Sequence, residues 1–221
     1  MVHPSEDGPR TVVAGDRPTG RHHLGHLVGS LQERLILQAS QRCFFLVADL
    51  HALSTHSGRD AEIRAWSGSM VLDWMSVGLD PARSTFLLQS SVPEITILST
   101  ILATLCPVAR ARRIPALKDT GRRDGLSLGL LGYPVLMPAD VLIFGGTDVP
   151  VGEDQVSHLE LVRELARKFN QQYGPHFQEP RAVLSRMPRL PGTDGLRKMS
   201  KSLDNAIYLS SGPEEVKRRV Q

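Results

Sequence analysis

Two short stretches and one acid hold the residues whose types and spacing could do chemistry. The first stretch, Gly15-Asp16-Arg17-Pro18-Thr19-Gly20-Arg21-His22-His23-Leu24-Gly25-His26, follows a β-branched run and leads into a helical pattern. Glycines in such a turn let backbone approach a phosphate, and a helix start offers free N–H donors at its positive end. His23 and His26 are three apart, so both project from one side of the first helical turn. Imidazoles there can donate to phosphoryl oxygens that gain charge during transfer. A glycine-rich turn with surface histidines accounts for the same residues about as well. A metal pair is disfavoured for want of a third ligand, and no metal is assigned to protein side chains.

The second stretch, Lys198-Met199-Ser200-Lys201-Ser202, sets two ammonium groups and two hydroxyls on a loop behind the turn Pro191-Gly192-Thr193-Asp194-Gly195. That suits a mobile clamp for polyphosphate. A solvated basic loop is the usual fate of so short a charge run, and alone it is the stronger reading. The acid is Asp140, in Tyr133-Pro134-Val135-Leu136-Met137-Pro138-Ala139-Asp140 and ahead of the apolar Val141 to Phe144. Tyr133, Met137 and Asp140 can share one helical face. A carboxylate beside a ring-sized apolar pocket could accept from an indole N–H, or it could cap a helix or pair with an arginine. The turn Gly152-Glu153-Asp154-Gln155 starts another helix, where acids are favoured in any case.

These residues need elements to position them. Thr11 to Gly15 reads as a buried first strand, followed by a helical stripe at Leu24, Leu27, Val28, Leu31 and Leu35. Cys43 to Ala48 reads as a second strand and Asp60 to Val77 as a helix ended by Gly78 and Pro81. Ser84 to Leu88 suits a strand, Pro93 to about Leu105 a helix, Thr147 to Val151 a strand, and a further helix reaches Phe169. Strands alternating with helices predict an α/β fold, a doubly wound parallel sheet with ligands at the strands' carboxyl ends. Trp66 and Trp74, eight apart on one helix, are expected in the core.

The chain has 221 residues, with 41% hydrophobic and 22% charged, which excludes a disulfide minidomain and wholesale disorder. Its net charge of +3 permits an anionic partner without demanding one. Cys43 and Cys106 stand far apart without metal spacing, and Cys43 opens an apolar run as a buried small hydrophobe. The polar start, Met1 to Arg10, does not resemble a secretory signal, and no apolar stretch spans a bilayer, so a cytoplasmic protein with no membrane partner is expected. The basic stretch holding Arg110, Arg112, Arg113, Lys118, Arg122 and Arg123 could track the phosphates of a nucleic acid. It lacks aromatic residues that stack on bases, which favours a solvated connection over a nucleic-acid contact.

Together these motifs resemble the class I aminoacyl-tRNA synthetases, and specifically the tryptophanyl-tRNA synthetase family. His23-Leu24-Gly25-His26 resembles the first class signature and Lys198 to Ser202 matches the second, known as HIGH and KMSKS. Tyr133 to Asp140 and Val149-Pro150-Val151-Gly152-Glu153-Asp154-Gln155 resemble segments that separate the tryptophan enzymes from their tyrosine relatives. Gly15 to Gly20 and Leu190 to Gly195 resemble one bacterial branch.

The resemblance implies a Rossmann-like catalytic domain, ATP with Mg2+, and a homodimer. It implies that tryptophan is activated to its adenylate and passed to tRNA. Asp140 would accept from the indole nitrogen, with Tyr133, Met137, His51, Gln155 and Gly15 shaping the amino-acid pocket. Arg17, Pro18, Thr19, Gly25, His26, Gly152, Glu153, Asp154, Leu190 and Lys198 to Ser202, including Met199, Ser200 and Lys201, would line the ATP site. Of these, His23, His26, Lys198 and Lys201 would do the catalytic work.

The expected division is a flexible extension over 1–10, a catalytic domain over 11–192, and the second-signature loop with a short helix over 193–221. The helical anticodon-binding domain is expected to be mostly absent, and Pro138 is expected to kink the helix holding Asp140. Two rivals stay open: a short homologue that adenylates tryptophan or a related amino acid for biosynthesis, and a non-catalytic ligand-binding paralogue.

Overall fold

A computed structural model of the chain describes residues 10–115, 117, 126–152, 155–184 and 190–221. Five strands form one parallel sheet: β1 (Thr11–Asp16), β2 (Arg42–Val47), β3 (Thr85–Leu88), β4 (Asp148–Val151) and β5 (Arg181–Leu184), in the order β3-β2-β1-β4-β5. The chain therefore winds outward one way through β2 and β3, then returns past β1 to β4 and β5. The reversal opens a crevice at the carboxyl ends of β1 and β4, where this topology binds ligands.

Both faces of the sheet are covered. Val13, Phe44 and Leu46 turn to one core, and Val12, Ala14, Cys43, Phe45 and Val47 to the other, the two-residue alternation of a strand buried on both sides. The first core is closed by α4 (Pro93–Leu105), α5 (Leu128–Leu142) and α6 (Val156–Tyr173). The second is closed by α1 (24–37) and α3 (Asp60–Ser76), which brackets Trp74 edge-on between Phe45 and Phe86. A short α2 (Asp49–Leu53) follows β2, and α7 (Pro213–Val220) comes last. Among the described residues no helix is long and apolar enough to cross a membrane.

Two features differ from the sequence-based expectation. The helix after the glycine turn is not uniform: α-helix Leu24–His26 passes through one π turn, Leu27–Leu31, before resuming as Gln32–Leu37. Trp66 is only half-buried, since it lies at the edge of its helix stripe under Arg59 and against His56, while Trp74 is fully buried. The helix α5 runs through both Pro134 and Pro138, packed against α4 and α6 and capped by Ser127 Oγ, which accepts from the Leu130 N–H. Cys43 is buried as expected, and burial pushes its thiol up to about 11. Residues 1–9 and much of the basic stretch, including Lys118, Arg122 and Arg123, lie outside the described residues.

Candidate active site

The crevice opens where β1 ends. Gly15 pairs in register with Leu46 yet is exposed, so the middle strand presents bare backbone at its carboxyl end. Beyond it the glycine turn swings over to α1, and the two motif histidines close the helix start on each other. The His23 Nδ1 accepts from the Gly25 N–H at 3.1 Å, and the His26 Nδ1 accepts from the His23 N–H at 3.1 Å. Their rings stand 3.9 Å apart, centre to centre. A Cβ at position 25 would fall 2.8 Å from the His23 ring, so this reciprocal cap requires glycine there.

The cap also sets the protonation of both rings. Burial, then the charge of Lys201, holds His23 down at about 4. Burial and the neighbouring rings of His23 and His26's other neighbour, His22, hold His26 at about 3. Both are neutral at physiological pH. With each Nδ1 already an acceptor, the single ring proton must sit on Nε2. Each imidazole thus offers one N–H donor.

The second signature folds back onto this turn. Lys201 Nζ donates to the carbonyl oxygens of Thr19 and Gly20, both at 3.2 Å. Burial lowers its pKa, with the Asp16 carboxylate opposing. Met199 is buried, and its N–H donates to the Leu190 carbonyl at 3.0 Å. Lys198 is exposed, close enough for its charge to act on His23, and the Ser200 and Ser202 hydroxyls meet at 3.0 Å. Two contacts then tie the segment after the loop to the first signature: the Leu24 N–H donates to Ile207 and the Leu209 N–H to His22, each at 2.9 Å. The two motifs, about 180 positions apart in sequence, form one wall.

A residue outside both motifs shapes that loop. Asn205, buried at 3% exposure, accepts from the Ser200 N–H at 2.8 Å and donates to the Lys198 carbonyl at 3.2 Å and to Asp194 at 3.0 Å. It fills the space over Gly192, where a Cβ would fall 2.1 Å from its amide nitrogen.

The other end of the crevice is a buried side-chain network. Asp140 is 8% exposed, and the Gln89 amide, fully buried, lies 2.7 and 2.9 Å from its two oxygens. The same amide nitrogen is 3.2 Å from the His51 Nδ1, while the Gln89 carbonyl accepts from the His51 N–H at 3.3 Å. Burial raises the Asp140 carboxyl to about 8, with Gln89 opposing, so at neutral pH it is largely protonated. Burial and the Arg17 charge hold His51 near 4. Tyr133 stands edge-on to the His51 ring and shares a 3.2 Å hydrogen bond with His158. Met137, on the same helix, packs against the first core.

Arg17 bridges the two ends, because its charge acts on His51, Tyr133 and Lys201 alike. Pro18 beside it is buried. Gly152 follows β4, and its carbonyl accepts from the Gln155 N–H at 3.0 Å, which places both at the crevice's far rim. Glu153 and Asp154 lie outside the described residues. Gln89 and Asn205 carry no motif. The one signal for Gln89 is its place right after β3, on the strand-end side of the sheet.

The family model described as tRNA synthetases class I (W and Y) matches residues 5–221. The tryptophan--tRNA ligase of Treponema pallidum is 52% identical over 215 residues, covering 95% of this chain and 64% of that protein. The one from Thermotoga maritima is 43% identical over 214 residues, covering 95% and 65%. Among solved structures, Campylobacter jejuni tryptophanyl-tRNA synthetase complexed with ADP and tryptophan superposes with a TM-score of 0.88 at 34% identity, over 95% of this chain and 66% of that one. The chain thus spans about 64% of the length of the curated relatives it matches.

Proposed function

The chain belongs to the class I tRNA synthetases (W and Y), and on that premise we propose that it activates L-tryptophan with ATP and passes the product to tRNA. A tryptophan carboxylate oxygen attacks the α-phosphorus, the bond from that phosphorus to the bridging oxygen breaks, and pyrophosphate leaves with the electron pair. Tryptophanyl-adenylate remains.

The observation that carries this reading is the docking of Lys201 on the Thr19 and Gly20 carbonyls, beside two imidazoles that offer Nε2–H donors. No side chain need act as a nucleophile. The work is to align two reactants and to stabilise charge on the departing phosphates. His23 and His26 donate near the reacting phosphoryl group, Lys198 and Lys201 meet pyrophosphate, and Arg17, Pro18, Thr19, Gly25, Gly152, Glu153, Asp154 and Leu190 line the nucleotide with the lysine loop. Among the described residues no group of three or more His, Cys, Asp or Glu could hold a metal ion, so Mg2+ is assigned to the nucleotide's own phosphates.

At the other end Asp140 accepts from the indole N–H, with Gln89 orienting it. Tyr133, Met137, His51, Gln155 and Gly15 shape the pocket. An N–H donor favours the ionised carboxylate, so tryptophan binding draws the Asp140 proton off.

In this reading residues 11–192 are the catalytic unit and 193–221 its closing loop and helix. The protein works in the cytoplasm as a homodimer. Exposed Ile97 and Ile101 on α4 and Leu128 at the start of α5 offer an apolar face for a second copy. ATP–pyrophosphate exchange measured across the amino acids tests the activation step, and charging of total tRNA tests the transfer. Exchange with tryptophan far above tyrosine is expected; exchange with neither removes the reading.

A further inference from the structure

Asp16 and Arg34 form an ion pair, the arginine buried and the aspartate half-buried, that the proposed chemistry does not use. Arg34 Nη1 and Nη2 donate to the two Asp16 carboxylate oxygens at 2.7 and 2.9 Å, a bidentate fork. The arginine is 2% exposed. Its guanidinium lies 5.7 Å from the rings of both Phe45 and Trp74, and its Nε has no hydrogen-bond partner. Asp16 is thus its one counter-charge among the described ion pairs. A buried charge with one partner is costly to assemble, and such pairs are weak evidence for stability. Something other than stability must be sought in its position.

Asp16 is the last residue of β1. Its own carbonyl accepts from the Ala48 N–H at 2.9 Å, so it is fixed to the sheet. The next residues are the turn whose Thr19 and Gly20 carbonyls hold Lys201. Arg34 lies on α1, the helix whose first turn carries His26. The ion pair therefore ties the sheet end of the turn to its helix end. On the far side the His22 N–H donates to Asp73 on α3 at 3.1 Å, a second tie of the same turn.

The π turn gives Arg34 its direction. In an unbroken α-helix eight residues leave Arg34 rotated by about 80° from His26. A π turn carries about one residue more than an α turn, so here the same eight residues come close to two whole turns. Arg34 then faces the strand end that His26 faces. Consistently, the Asp16 charge acts on His22, His26 and Lys201 together.

We infer that the Asp16–Arg34 pair, set in phase by the π turn, is a positioning device that fixes the distance between the imidazoles on α1 and the carbonyl seat of Lys201. The inference rests on the adenylate-forming role proposed above. It acts through other residues and touches no substrate. Its effect belongs to kcat, because a displacement of about 1 Å at reacting groups costs about a hundredfold in rate.

The test is ATP–pyrophosphate exchange with tryptophan on the whole chain. One variant replaces both charges by apolar groups, Asp16→Leu with Arg34→Met, since apolar replacement of a buried pair commonly keeps or raises stability. The other, Arg34→Lys, keeps the charge and loses the fork. The double variant is expected to melt near the parent temperature and to lose about a hundredfold in kcat with KM for tryptophan unchanged. Arg34→Lys is expected to lose about tenfold in kcat, again at the parent KM. A folded double variant with the parent kcat overturns the inference. If the double variant shows no cooperative melt, Arg34→Lys decides: reduced kcat at the parent KM supports positioning, and parent kcat overturns it. A parent chain that exchanges nothing removes the proposed function, and this inference with it. A parent that exchanges while both variants match it removes the inference alone.

Discussion

The two ends of the crevice are built by different means. At the end proposed for phosphate almost every contact involves backbone: Lys201 rests on two carbonyls, His23 and His26 cap two N–H groups, and Leu24 and His22 pair with the chain beyond the loop. At the end proposed for tryptophan Gln89, His51 and Asp140 bind one another mainly through side chains, inside the protein. Such contacts seat each side chain on the backbone and still leave it a donor, one N–H of the Lys201 ammonium and the Nε2–H of each imidazole, for a ligand that comes and goes. Side-chain contacts in a dry pocket discriminate, because a guest that fails to match them strands a buried polar group. The first end is suited to charge shared by every nucleotide, the second to one ring.

Substitutions can break this comparison or sharpen it. Lys201→Ala has the largest expected effect, a loss of about a hundred- to a thousandfold in kcat for exchange if the ammonium acts like one donor of an oxyanion hole. An unchanged exchange rate would dissociate the loop from the chemistry. Asp140→Asn comes next: kcat/KM for tryptophan should fall by about ten- to a hundredfold, the worth of a hydrogen bond to a charged group, while KM for ATP stays put. A matching rise in KM for ATP would show that the two ends are not separable.

Gly192→Ala drives a Cβ into the Asn205 amide and should cost about 1–3 kcal/mol. Its thermal shift should come with weakened exchange, because Asn205 is what arranges the Lys198–Ser200 backbone. A destabilised variant with full exchange would make Asn205 a strut and nothing more.

A pH dependence tests the buried end from another side. Burial raises the folded Asp140 carboxyl to about 8, well above the ordinary carboxylate range. The native state therefore holds the proton longer than the unfolded chain does, and stability falls as pH rises across that window. Asp140→Asn cannot ionise, so by pH 9 its advantage in urea melts should have grown by at least about 1.4 kcal/mol, the worth of one pKa unit. Parallel pH profiles for the two proteins would contradict a buried, protonated acid.

Much of this was legible from the residues. His23, His26, Lys198, Lys201 and Asp140 sit in stretches whose types and spacing fit a bland reading as well as a chemical one, and only their joint family resemblance singles them out, whereas the alternation of strands and helices predicts the parallel sheet on its own. Other features carry no local mark. Gln89 is one glutamine after a strand, and only the winding of the sheet brings it to Asp140. Asn205 acts on a loop that folds around it, so its role exists only in three dimensions. Arg34 is out of phase with His26 on any regular helix, and the π turn that corrects the phase has no signature among Leu27 to Leu31. β5 is four residues, Arg181–Leu184, with exposed ends, too short and too wet to stand out. Trp66 shares the spacing of a core residue yet lies at the stripe's edge.

The pairing of Ile207 and Leu209 with Leu24 and His22 has a consequence for how the molecule comes into being. A chain emerging from the ribosome can complete all five strands once residue 184 is out, and domains generally begin to fold from the amino terminus during synthesis. Its histidines must still wait for the segment around residue 209 before they have a partner to close against. Nascent protein therefore passes through an interval in which the scaffold is finished and the wall between the two motifs is not.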